Sequence, residues 1–175
     1  MTDPSSSLCT QCGLCCSGAL FGEVPISPED APALEQLGLE LKQGHRAFSL
    51  PCARLEGSRC SIYAARPTIC RTYRCGVLQA AEAGEIRLDE ARAKIAKARS
   101  LTQAVRALLP HGISLTQARR EWLARMAEPA TESGESRAAH APLDLALTVL
   151  NLYLDRHFRD ERRPALTLQE LGRDT

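Results

Sequence analysis

Helical periodicity dominates the second half of the chain and is nearly absent from the first. Leu143, Leu147, Leu150, Leu154 and Phe158 recur at three- and four-residue spacing, which predicts an amphipathic helix. Leu145, Val149 and Leu152 stand on its other side, so this helix is expected to be central and buried all round. Ala91, Ile95, Ala98, Thr102, Val105 and Leu109 predict a second long helix, with Asp89 as its cap and Pro110-His111-Gly112 as its break. Ser114 is placed to cap a third, which carries Leu115, Ala118, Trp122 and Met126 on one face. Val77–Ala83 reads as a short helix closed by Gly84. Residues 129–140, rich in Ser, Glu, Gly and Ala, read as a flexible loop, and Thr167–Leu171 as a last short turn.

Before Cys75 the rhythm is lost. Residues 1–7 are polar and read as disordered, and residues 8–22 as a Cys/Gly loop. Ser27-Pro28-Glu29-Asp30 has the signature of a helix start, with a hydroxyl to cap, a proline at the first helical position and acids in the first turn. That helix is expected to run to about Leu37 and stop at Gly38, with Pro32 a weakness inside it. Short extended pieces are predicted at Glu23–Ile26, Ala47–Pro51 and Arg59–Tyr63.

Charge narrows the function classes. The chain has 22 Lys/Arg against 21 Asp/Glu and a formal net charge of +1. It stays balanced on either side of Cys75, and no basic block offers a phosphate footprint, so nucleic acid is not an expected partner. No apolar run reaches the roughly 18 residues of a membrane span. The Met-Thr-Asp-Pro-Ser-Ser-Ser start has no basic segment leading into an apolar one, so a cytoplasmic location is expected. A protein partner is possible but nothing in the sequence specifies one.

The cysteines carry the candidate chemistry. All eight lie in the first half, as Cys9-x2-Cys12-x2-Cys15-Cys16 and then Cys52, Cys60, Cys70 and Cys75. A reducing compartment keeps thiols from pairing, so this set reads as metal ligands sooner than as disulfides. Zinc takes four thiolates at tetrahedral angles, and iron–sulfur clusters also take four. The Cys9-x2-Cys12-x2-Cys15 run begins like a bacterial ferredoxin motif but lacks the completing Cys-Pro, so spacing leaves zinc and iron–sulfur both open. The side chains of Cys15 and Cys16 diverge in any regular backbone, so both can hardly serve one mononuclear site. Two neighbouring sites, one polynuclear site, or one ligand beside a spare thiol are the three arrangements that follow. Among the arginines near the last two cysteines, Arg71 is the candidate for hydrogen bonding to ligand sulfurs, with Arg66 and Arg74 left unassigned. Tyr63 and Tyr73 are candidates to pack over the site. His45 lies between the two cysteine groups, but a surface loop role is the simpler reading, and His111, His140 and His157 have none in the site. No catalytic triad, glycine-rich phosphate loop or His-Glu-x-x-His pair is present, so catalytic residues are unassigned and an enzyme is not the favoured reading.

These readings predict a small irregular cysteine-rich metal-binding domain, α with short β pieces, at residues 8–76. A C-terminal α-helical region at 77–175 would pack on it as one compact unit, mainly α overall.

The ordered pattern resembles the YkgJ-type cysteine-cluster family, the CxxCxxCC zinc- or iron-chelating domain. The family's pattern is C-x2-C-x2-C-C, then P-C, then C-x-I-Y-x-x-R-P-x-x-C-R-x-[FY]-x-C. It is met by Cys9, Cys12, Cys15, Cys16, Pro51-Cys52 and the stretch from Cys60-Ser61-Ile62-Tyr63 through Arg66-Pro67 to Cys70-Arg71-Thr72-Tyr73-Arg74-Cys75. The resemblance implies chelation of zinc or iron through these cysteines in a non-catalytic or accessory role. Flagellin lysine methylase is similar over the same motif. The alternative is therefore an iron–sulfur protein in electron transfer, or an enzyme subunit linked to protein methyl transfer.

Overall fold

A computed structural model describes residues 4–42, 44, 46–127 and 134–159. The protein is mainly α, with two small antiparallel sheets. Its chain divides into two compact units, residues 1–95 and 96–175, with the boundary inside one helix.

The first unit opens with α1 (Pro4–Cys12), where a disordered tail and a loop were expected. Its reason is tertiary: Leu8 is buried, and the helix packs on α4 (Gly76–Glu82) and on a short strand. Three strands then form a sheet in the order β1 (Glu23–Pro25), β3 (Ala47–Ser49), β2 (Leu41–Lys42). Val24 and Leu41 both pair with Phe48, which is buried at the centre. Helix α2 (Ala31–Gln36) begins three residues after the Ser27-Pro28 pair. This places Pro32 in its first turn, where a missing N–H costs nothing. Ser27 still acts locally, its hydroxyl accepting from the Asp30 N–H at 3.3 Å. Ile26, Ala31, Leu34, Leu39, Phe48 and Leu50 form one apolar cluster of this unit, and Leu8, Leu14, Leu20, Val77 and Leu78 are buried as well.

A two-stranded hairpin follows, β4 (Leu55–Glu56) with β5 (Arg59–Cys60), so the extended piece expected at Arg59–Tyr63 is strand over its first two residues, and a 3-10 turn at Tyr63–Ala65 comes next. The short α3 (Thr68–Thr72) starts at a carboxylate from elsewhere in the chain: Asp30 Oδ2 accepts from the Thr68 N–H at 3.0 Å. Helix α5 (Leu88–Leu108) starts one residue before Asp89, which sits in its first turn and accepts from the Glu90 N–H rather than capping from outside.

In the second unit Ser114 caps α6 (Leu115–Ala127) as expected, accepting from the Gln117 N–H at 3.1 Å. Leu115, Ala118 and Trp122 are buried while Met126 is exposed. Helix α7 runs from Gly134 to His157, so residues 134–140 are helical rather than loop. Its Leu147, Leu150 and Leu154, with Phe158, are fully buried. The expectation of burial all round is wrong, because Leu145 and Leu152 are 66% and 64% exposed and Val149 is exposed too. Burial needs a neighbour on every face, and the packing around α7 covers only one stripe. Arg125 of α6 forms a paired contact with Asp144 of α7. The polar side chain of Asn151 is buried but satisfied, donating to Leu147 O at 2.8 Å and accepting from Arg159 at 3.2 Å. The predicted turn at 167–171 and residues 129–133 of the predicted loop lie outside the described residues. Among the described residues, no helix is long and apolar enough to cross a membrane.

Candidate metal centre

All eight cysteines belong to the first unit, and all eight stand as half-buried thiols rather than disulfides. Cys9 and Cys12 are three residues apart on α1 and so share one face. The chain then turns at Gly13, whose φ of 67° suits glycine. A Cβ there would also come within 3.0 Å of Ser58 backbone atoms, just before β5. Within the tight turn that follows, closed by the Ser17 N–H on Gly13 O at 2.9 Å, lie Cys15 and Cys16. Cys52 reaches Cys16 through its own N–H, which donates to Cys16 O at 2.8 Å. The hairpin brings Cys60 back beside this segment: Leu55 pairs with Cys60, and the Leu55 N–H donates to Cys52 O at 3.0 Å. Cys70, on α3, packs with Cys52 against the same apolar core. Cys75 is the residue that caps the start of α4, the helix that packs on α1.

Desolvation and repulsion between thiolates raise the pKa values of Cys15, Cys16, Cys52, Cys70 and Cys75. Burial is the largest cause at Cys15, which lies well above its ordinary value of 9.0 with further contributions from Cys75, Cys12, Cys16 and Cys9. Burial also pushes Cys16 up to about 12, helped by Cys60, Cys52, Cys70 and Cys12. Cys70 rises to about 11 through burial and then Cys52 and Cys60. Cys75 rises to about 11 through burial, opposed by the backbone N–H groups of Leu78 and Val77 at the start of α4. Cys52 is raised by burial, while the backbone of Arg54 and its charge pull the other way. Thiols so placed hold their protons until a cation supplies the countercharge, and a metal ion inverts that balance outright.

The arginines have distinct local partners. Arg71 is exposed, its guanidinium reaching the Thr68 hydroxyl at 3.5 Å. Arg66, whose charge lowers the Cys70 pKa, stacks 3.5 Å over the Tyr63 ring and donates to Tyr63 O at 2.8 Å. Arg74 pairs with Glu82 at 3.2 Å. Sequence reasoning missed Arg54, two residues beyond Cys52. Its Nε is buried with no hydrogen-bond partner among the described residues. Its guanidinium occupies the space that a Cβ on Gly38 would fill. The spacing from Cys52 was the available signal, but only the fold of residues 38–54 turns that arginine inward. Phe21 and Tyr73 meet edge to face at 5.3 Å beside this region. His111 is exposed, and His157 stacks on Tyr153 in the second unit at 4.7 Å. His45 lies outside the described residues.

The donor set fits a thiophilic metal. It is sulfur-rich and shielded, and it stands beside a buried arginine nitrogen whose missing partner an anionic thiolate centre would provide. The sulfurs are gathered rather than closed: among the described residues, no three His, Cys, Asp or Glu side chains stand in metal-holding geometry. Compared with known proteins, residues 8–98 match the family model CxxCxxCC, described as a putative zinc- or iron-chelating domain. That stretch is more than half of the 175 residues. No curated protein and no solved structure matches.

Proposed function

The chain belongs to the CxxCxxCC family of zinc- or iron-chelating domains, and from that premise we propose that its cysteines hold metal that fastens the first unit together. The observation that carries this reading is convergence. Cysteines from α1, its following turn, the hairpin, α3 and the start of α4 meet in one region of a unit whose strands are two or three residues long. Elements of two or three residues do not hold a fold by themselves, and a structural metal contributes on the order of 10–16 kcal/mol. The role is non-catalytic or accessory, in the cytoplasm, where thiols stay reduced.

Zinc and iron–sulfur centres both suit an all-thiolate set. Elemental and sulfide analysis of protein purified without air from iron-replete cells separates them. A colourless, zinc-loaded protein identifies a zinc centre. Brown protein with iron and sulfide in equal amounts identifies a cluster and a redox role. Protein that carries neither metal and melts the same with or without added zinc refutes the proposal.

A further inference from the structure

We propose that the eight cysteines form two separate four-thiolate centres, Cys9, Cys12, Cys15 and Cys75 in one and Cys16, Cys52, Cys60 and Cys70 in the other, so that the adjacent pair Cys15-Cys16 is split between them. This rests on the metal-binding reading above and specifies its architecture.

The backbone makes the division. Helix α1 presents Cys9 and Cys12 on one face and packs on α4, whose first residue follows Cys75. Three of the first set are thus held by one helix pair. The second set is joined by its own links, although β5 also packs on α1: the Cys52 N–H bonds to Cys16 O, the hairpin pairs Cys60 with Leu55, whose N–H bonds to Cys52 O, and Cys52 and Cys70 share the same apolar support. The turn closed by Gly13 and Ser17 holds Cys15 and Cys16 side by side, and adjacent side chains point apart.

The electrostatic neighbourhoods agree. Cys15 is influenced most by Cys75 and Cys12 among the cysteines, and Cys75 by Cys9. Cys16 is influenced most by Cys60, Cys52 and Cys70, and Cys70 by Cys52 and Cys60. Across the sets, Cys16 acts on Cys15, and Cys12 acts more weakly on Cys16. The surroundings differ as well. The second set has the charges of Arg54 and Arg66 beside it, whereas the first has the backbone N–H groups of Val77 and Leu78. With zinc, each centre would exchange four thiol protons for one divalent ion and carry a net charge of about −2. Two arginines can offset that charge in the second set, while oriented N–H groups do so in the first.

The test is metal stoichiometry in the full-length chain, with zinc as the probe. Wild type is expected to bind about two zinc ions, since eight thiolates supply two tetrahedral sites. Cys9→Ser with Cys75→Ser, or Cys52→Ser with Cys60→Ser, is expected to leave about one, because each pair empties a single centre. Cys9→Ser with Cys60→Ser is expected to leave neither site intact. Cadmium-substituted wild type answers the same question without any substitution that might prevent folding. Two cadmium resonances are expected, each coupled to the β-protons of its own four cysteines. A single centre, a cysteine coupled to both cadmium ions, or Cys15 and Cys16 coupled to the same ion would overturn the division while leaving metal binding intact. Protein that binds no metal would instead overturn the reading on which it rests.

Discussion

Residues 4–95 and residues 96–159 reach a stable interior by different routes. The second unit is built from long helices, and Leu147, Leu150, Leu154 and Phe158 are wholly buried. Among its buried polar groups, Asn151 accepts from Arg159 and donates to the helix backbone, and Arg159 also pairs with Asp155. The first unit has strands of two or three residues and sets eight half-buried thiols beside its buried apolar residues. Its thiols repel one another as they ionise, so proximity there is a cost that only a cation reverses. An apolar core tolerates slow variation in composition, whereas a ligand set depends on each member.

The largest effect should come from removing metal. A strong chelator with reductant is expected to unfold the first unit, at a cost on the order of 10 kcal/mol, while α6 and α7 keep their protection. Hydrogen exchange followed by peptide mass analysis reads both units at once. Equal loss of protection in α7 would end the contrast. Next comes Phe158→Ala, which should cost about 3–5 kcal/mol in the second unit and leave metal content unchanged. Denaturant melting beside metal analysis checks it, and a parallel loss of metal would show the two routes to be one. The smallest is Asp30→Ala, which removes the acceptor at the start of α3 and should cost about 1 kcal/mol. Its sharper reading is local: metal should dissociate faster from the variant in a competition with a colorimetric chelator, because Cys70 rides on that helix. An unchanged dissociation rate would uncouple α3 docking from the ligand set.

Much of the second unit was legible because long helices declare themselves by period. The Leu115, Ala118 and Trp122 face and the Ser114 cap are both read directly from spacing. The exposed stripe of Leu145, Val149 and Leu152 was not, because periodicity shows which residues share a face and not whether anything lies against it. In the first unit the strands at Glu23, Ala47 and Arg59 were visible from composition. The helix at Pro4–Cys12 was not, since its sequence shows no strong period and only its packing on α4 and β5 accounts for it. The inward turn of Arg54 and the tie between Asp30 and Thr68 join residues far apart in the chain, and no local pattern encodes them.

The order and spacing of eight cysteines, and the chemical class of ligand they suit, are properties of the sequence alone, because thiolate chemistry and family pattern depend on residue type and distance along the chain. Which cysteines face one another was decided by tertiary structure. A turn at Gly13, a hairpin and one helix pair bring together residues as far apart as Cys9 and Cys75, and only the folded backbone sends Cys15 and Cys16 to different neighbours.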